Sequence, residues 1–143
     1  MADYSSDEFL ISVITGLLPE KGNAAVGAAS PVPGSAVLLK RELTGGALRA
    51  SLIQGTANNP FTDGGRELFD AAGQGRIDVF FLGGVQIDGQ ANLNLVGTGE
   101  YPALERRFPG SFGSPYMYFT VPNVILFRPE HPRRVFVEKV DFI

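Results

Sequence analysis

From Ser5 onward apolar residues recur with a helical period, Phe9, Leu10, Val13, Ile14 and Leu17 falling on one stripe. Ser5 and Glu8 stand three apart ahead of it, where hydroxyl and carboxylate can satisfy each other's orphan backbone amides. Leu18 precedes Pro19, which disfavours further helix, so the pattern predicts a first helix over 6–18. Positions 23–29 are small, apolar and glycine-containing, as in a short buried strand. Pro31 and Pro33 open a second predicted helix carrying Val37, Leu38 and Leu43, which Gly45 and Gly46 end. Strand 48–53 and loop 55–65 follow, then a short helix over 66–72 with Thr62 or Asp63 as its cap.

The run Ile77-Asp-Val-Phe-Phe-Leu82 is β-branched, aromatic and continuous, as a strand covered on both faces should be, and Gly83-Gly84 stops it. Positions 91–96 alternate asparagine with leucine, predicting a strand with one polar face; 121–127 and 135–142 are two more strand candidates. Strands alternating with short helices define an α/β fold: a single domain over 1–143 with a largely parallel sheet flanked by helices.

Composition narrows the chemistry. The 143 residues are 44% hydrophobic and 19% charged, ordinary for a folded domain. A net charge of -3, with 12 basic residues interspersed among 15 acidic ones, gives no footprint for nucleic acid. There is no cysteine and one histidine, His131, so neither a disulfide nor a metal site is expected. No apolar run approaches the roughly 20 residues that cross a bilayer. The acidic opening is unlike a signal peptide, and a cytoplasmic protein is expected.

His131 could serve a Ser-His-Asp triad, but between Glu130 and Pro132 it reads better as a turn residue. Asp63, Glu67 and Asp70 read as helix-face charges. The pairs Arg106-Arg107 and Arg133-Arg134 read as solvated loop charges or inter-chain ion pairs before they read as ligands of an anion. Two glycine-rich stretches carry more. Gly83-Gly84-Val85-Gln86-Ile87-Asp88, followed by Asn92 and Asn94, lies at a strand's carboxyl end, where open α/β sheets bind ligands. Glycine there admits a ligand close to backbone, and the short polar side chains can hold the loop. Pro109-Gly110-Ser111-Phe112-Gly113-Ser114 could present successive amides to an oxyanion.

In order, these motifs followed by Arg133-Arg134-Val-Phe-Val-Glu138-Lys139-Val-Asp141-Phe142 resemble family I CoA-transferases, above all the B (beta) subunit of glutaconate CoA-transferase and its relatives. The strong part covers 76–143, about half the chain. The resemblance implies an α/β domain of CoA-transferase type paired with an A-type (alpha) subunit as a heterodimer or heterotetramer. It implies action on acyl-CoA, with coenzyme A as a substrate moiety and no permanently bound cofactor. Gly83, Gly84, Gln86, Asp88, Asn92, Asn94, Gly110 and Gly113 are then the candidate binding residues.

In active members a B-subunit glutamate at the end of the second buried strand attacks the thioester. Here the matched position falls on Ile53 or Gln54, neither of which can form the acyl anhydride that transfer requires. That leaves acyl-CoA hydrolysis or ring opening, a non-catalytic structural partner of the A-type subunit, or a transferase whose glutamate is displaced. The 55–78 segment is also shorter than the family's usual stretch. Ala91 stands where relatives carry glycine, and Phe112 interrupts a run of glycines.

Overall fold

The computed structural model describes residues 3–143; Met1 and Ala2, the first positions of the acidic opening, lie outside the described residues. The elements run α1 (Ser6–Leu17), β1 (Gly22–Val26), α2 (Pro31–Leu43), β2 (Leu48–Leu52), α3 (Gly64–Gly73) and β3 (Val79–Leu82). Then follow β4 (Gln86–Asp88), β5 (Leu93–Asn94), β6 (Gly97–Thr98), β7 (Arg106–Arg107), α4 (Ser114–Thr120), β8 (Asn123–Leu126) and β9 (Phe136–Val137). Among the described residues no helix is long and apolar enough to cross a membrane.

The main sheet has the order β2-β1-β3-β8 and every pair in it is parallel. Alternating side chains serve two cores. Ala24, Val26, Val79 and Phe81 face α1 and α2, packing with Ile14, Val32, Ala36, Val37 and Leu48. Ala25, Phe80 and Leu82 face the other way, against Leu68, Ala71 and Ala72 of α3 and Met117 of α4. The result is a helix–sheet–helix sandwich, as the alternation of elements predicts.

Local chemistry explains the first helix. Ser5 Oγ accepts from the Glu8 N–H at 3.2 Å while the Ser5 N–H donates to the Glu8 carboxylate at 2.7 Å. The stripe on α1 is wider than its buried face: Ile14 is in the core, whereas Phe9, Val13 and Leu17 are exposed. On α2, likewise, Val37 is buried and Leu43 is 70% exposed.

Several predicted elements are corrected. The 23–29 strand ends at Val26, and 121–127 contracts to Asn123–Leu126. The 91–96 strand is only Leu93–Asn94, and of 135–142 only Phe136–Val137 is strand, because Val140 and Asp141 bond to side chains instead of to a ladder. Helix α4 has no counterpart in the predicted elements. Ser114-Pro115 opens it, and its apolar residues merge in the sequence with those of β8. These carboxyl-terminal pieces form a small mixed sheet, β5-β4-β9, and the β6–β7 pair.

Candidate functional site

In the order β2-β1-β3-β8 the chain runs outward to β2, then crosses back over β1 to β3. The connections therefore diverge between β1 and β3, leaving a crevice at the strands' carboxyl ends. Its walls are the β1–α2 loop, the ends of β2 and β3, and the turn after β8.

Gln54 joins the first two walls. Its side-chain carbonyl accepts from the Ala29 N–H at 3.1 Å, and Ala29 holds a left-handed backbone (φ 52°). Ser30, which precedes α2, bonds the Ala28 carbonyl at 3.1 Å and leaves the helix's first amides without a side-chain cap. Ile53, the other position that the resemblance would set at the nucleophile's place, donates its backbone N–H to Val26 and packs its side chain into the α3-side core. Of the two, Gln54 is the exposed residue facing the crevice. Glu42 lies in α2 and Glu67 in α3, where Glu67 is held by the Thr62 N–H and hydroxyl. The Thr62 hydroxyl, with the backbone at Asp63 and Thr62, keeps the Glu67 carboxyl below its ordinary pKa.

Three neighbouring hollows lie along the strand ends. A hollow of about 350 Å³ lies between Gly27, Ser30 and Gln54. It shares Ala29 and Ser30 with a smaller one of about 150 Å³ that reaches Gly83 and Arg128. The latter shares Gly83 and Arg128 with a cleft of about 720 Å³ under Gly83, Gly84 and Gln86. A separate hollow of about 640 Å³ lies by the amino-terminal half of β2, away from the strand ends.

The polar residues of the first glycine-rich motif are mostly turned inward. Asn94 is fully buried; its amide donates to Gln86 Oε1 and the Gly97 carbonyl, both at 2.7 Å, and its carbonyl accepts from Val96. Gln86 also accepts from the Asp141 N–H at 2.9 Å. Asp88 accepts from the Gln90 and Asn92 N–H groups and the Asn92 amide, all at 3.0 Å, and from Val140 at 3.4 Å. The Asn92 amide leads these bonds in lowering the Asp88 pKa, against the opposing effect of burial. The network clamps the β4–β5 hairpin to the chain's last residues. Gly84 serves the same packing: a Cβ there would overlap a methyl of Leu93 and stand 3.0 Å from the Gln86 carbonyl. Of this motif Gly83, Gly84, Val85 and Gln86 line the cleft, whereas Asp88, Asn92 and Asn94 do not.

The second motif lies elsewhere. Gly113 sits against the Phe69 ring, which leaves no room for a Cβ, and Gly110 has φ 100°. Ser111, Ser114 and Asn92 meet in an apolar hollow of about 260 Å³ with Tyr118, Phe119 and Phe142. His131 is a turn residue, its Nε2 3.1 Å from the Arg128 carbonyl and its ring edge-on to Phe136. Ala29, Ser30 and Arg128 of the crevice walls carry no mark in the sequence; a lone serine before proline or a lone arginine after a strand is no distinctive signal.

A parallel sheet with helices on both faces and a crevice at the strand-order reversal is the doubly wound α/β architecture, in which open sheets bind ligands at that point. A sequence model of the coenzyme A transferase family matches residues 12–143, and the chain belongs to that family. It is similar to the B subunit of 3-oxoadipate CoA-transferase from Pseudomonas knackmussii, 40% identical over 70 residues, which are 48% of this chain and 26% of that protein. The B subunit of glutaconate CoA-transferase from Acidaminococcus fermentans is 35% identical over 65 residues, 46% of this chain and 24% of that protein. The matched stretches thus span about a quarter of each relative. The crystal structure of the decarboxylase AibA/AibB superposes with a TM-score of 0.84 at 22% identity, covering 97% of this chain and 65% of that chain, which shows the shared fold.

Proposed function

We propose that this chain is the B-type part of a two-subunit protein that handles acyl-CoA thioesters in the strand-end crevice. Its A-type partner would supply catalytic groups that this chain lacks. The observation that carries this reading is Gln54. It stands at the carboxyl end of β2, facing the crevice, with its carbonyl engaged by the Ala29 N–H. A carboxamide there can orient a thioester or a water but cannot carry a glutamyl-CoA intermediate. Hydrolysis or ring opening of an acyl-CoA fits such a site better than transfer between two acids. Support for the partner comes from relatives named as B subunits and from the two-part name of AibA/AibB.

The test is to incubate the co-purified pair with an acyl-CoA, add hydroxylamine or borohydride, and map this chain by mass spectrometry. No modified glutamate is expected, while acyl-CoA is consumed. A hydroxamate or reduced side chain on any glutamate of this chain would establish a displaced nucleophile and a true transferase.

A second reading, a structural partner without catalytic contribution, draws on Phe112 and Phe119, which are 94% and 87% exposed. Large apolar side chains left this bare suit an inter-subunit surface. Turnover of the pair unchanged by Gln54→Ala and Ser30→Ala would favour it.

A further inference from the structure

Three arginines far apart in sequence meet in the cleft under Gly83 and Gly84: Arg106, Arg128 and Arg134. Each has a fixed backbone. Arg106 belongs to β7, paired with Thr98, and its guanidinium lies 5.3 Å from the Phe108 ring centre. Arg128 follows Phe127, whose N–H donates to Leu82 at 2.9 Å. Arg134 precedes Val135, whose carbonyl accepts from Ile87 at 2.7 Å.

No aspartate or glutamate lines this cleft, and none of the three arginines is in an ion pair among the described residues. The Nε of Arg128 is buried without a hydrogen-bond partner there. Three like charges line one cleft with no carboxylate among its lining residues, and one of them carries a buried orphan donor that an anion could accept from. A single carboxylate would engage one guanidinium fork; three suit an ion of several charges and many acceptor oxygens, which is phosphate chemistry.

We infer that Arg106, Arg128 and Arg134 form a subsite for the phosphate-bearing end of the ligand. The inference rests on the acyl-CoA reading for the ligand's identity but on the cleft alone for its charge. The reach agrees. Gln54 just past β2 and Arg128 after β8 are separated by three inter-strand spacings, roughly 14 Å, a span suited to an extended pantetheine arm. The thioester then lies by Gln54 and Ser30, the arm passes Gly83, which itself adds no side chain there, and the phosphates meet the arginines.

The experiment measures binding of CoA, pantetheine and inorganic diphosphate to the full protein by calorimetry, for the native chain, Arg128→Gln and Arg134→Gln. Arg134 is exposed, so its variant keeps the test valid should Arg128→Gln disturb folding. Each variant is expected to weaken CoA roughly tenfold through loss of a charge-assisted contact while leaving pantetheine unchanged. Native-like CoA affinity in both variants overturns the subsite and leaves the acyl-CoA reading standing. Arginine-dependent binding of diphosphate without binding of CoA keeps the subsite and removes the acyl-CoA reading. If the variants instead lose the partner chain while anion binding is unchanged, the arginines serve an inter-chain ion pair and the inference fails.

Discussion

Ala91 and Phe112 hold left-handed backbone, with φ of 63° and 46°, at the two places where the resemblance to CoA-transferases calls for glycine. A side chain in that region costs about 1–2 kcal/mol, more when branched at Cβ. Ala91→Gly is expected to leave stability equal or raise it by up to about 1 kcal/mol, because relief of strain is offset by glycine's unfolded-state entropy. Ala91→Val is expected to lower it by about 1–2 kcal/mol, in urea unfolding of the two variants side by side. A valine variant as stable as the alanine chain would show that the backbone there is not left-handed. Asp88 offers a test by pH. Its carboxyl titrates below its ordinary value of 3.8, so the charged form stabilises the fold. That contribution is complete above the ordinary value and is lost as pH falls through the lowered one. The gap in urea midpoint between the native chain and Asp88→Asn is expected to hold from pH 7 to about 4 and to narrow below. A gap independent of pH would place the effect of the substitution outside the carboxylate's charge.

Elements were legible where one signal governed them. The Ser5–Glu8 box marks α1 because capping acts within four residues, and the all-apolar Val79–Leu82 stands out because both its faces are covered. Helix α4 was hidden. Tyr116 to Phe127 is apolar almost throughout, and neither a period of two nor one of 3.6 separates Ser114–Thr120 from Asn123–Leu126. The sequence also overstates which apolar positions are core, since burial is decided by what packs opposite. Leu68 in α3 is 2% exposed and Leu43 in α2 is 70% exposed, though both fall on apolar stripes. Leu68→Ala is expected to cost about 2–5 kcal/mol and Leu43→Ala less than about 0.5 kcal/mol in thermal or urea unfolding. Equal losses would mean that the outer face of α2 is covered in solution.

At the scale of the whole molecule, the candidate site was legible as a motif and not as a place. Gly83 and Gly84 pointed to the carboxyl end of β3, and the crevice is there. The sequence did not show that Gln86 and Asp88 spend polar atoms on the chain's own backbone, because their partners at Asp141 and Val140 lie more than fifty residues away. Nor did it bring Arg106, Arg128 and Arg134 together, since that convergence depends on the β6–β7 pair and the turn after β8. What unites the crevice is topology: the reversal of strand order sets the loop after β1 beside the glycines after β3. Hydrogen exchange of this chain with its proposed A-type partner, with and without a saturating acyl-CoA, tests this most directly. Amides of Gly27 to Ser30 and of Gly83 to Val85 are expected to slow together on binding, while those of α1 stay unchanged. Binding that leaves both loops exchanging as before would contradict the placement of the thioester in this crevice.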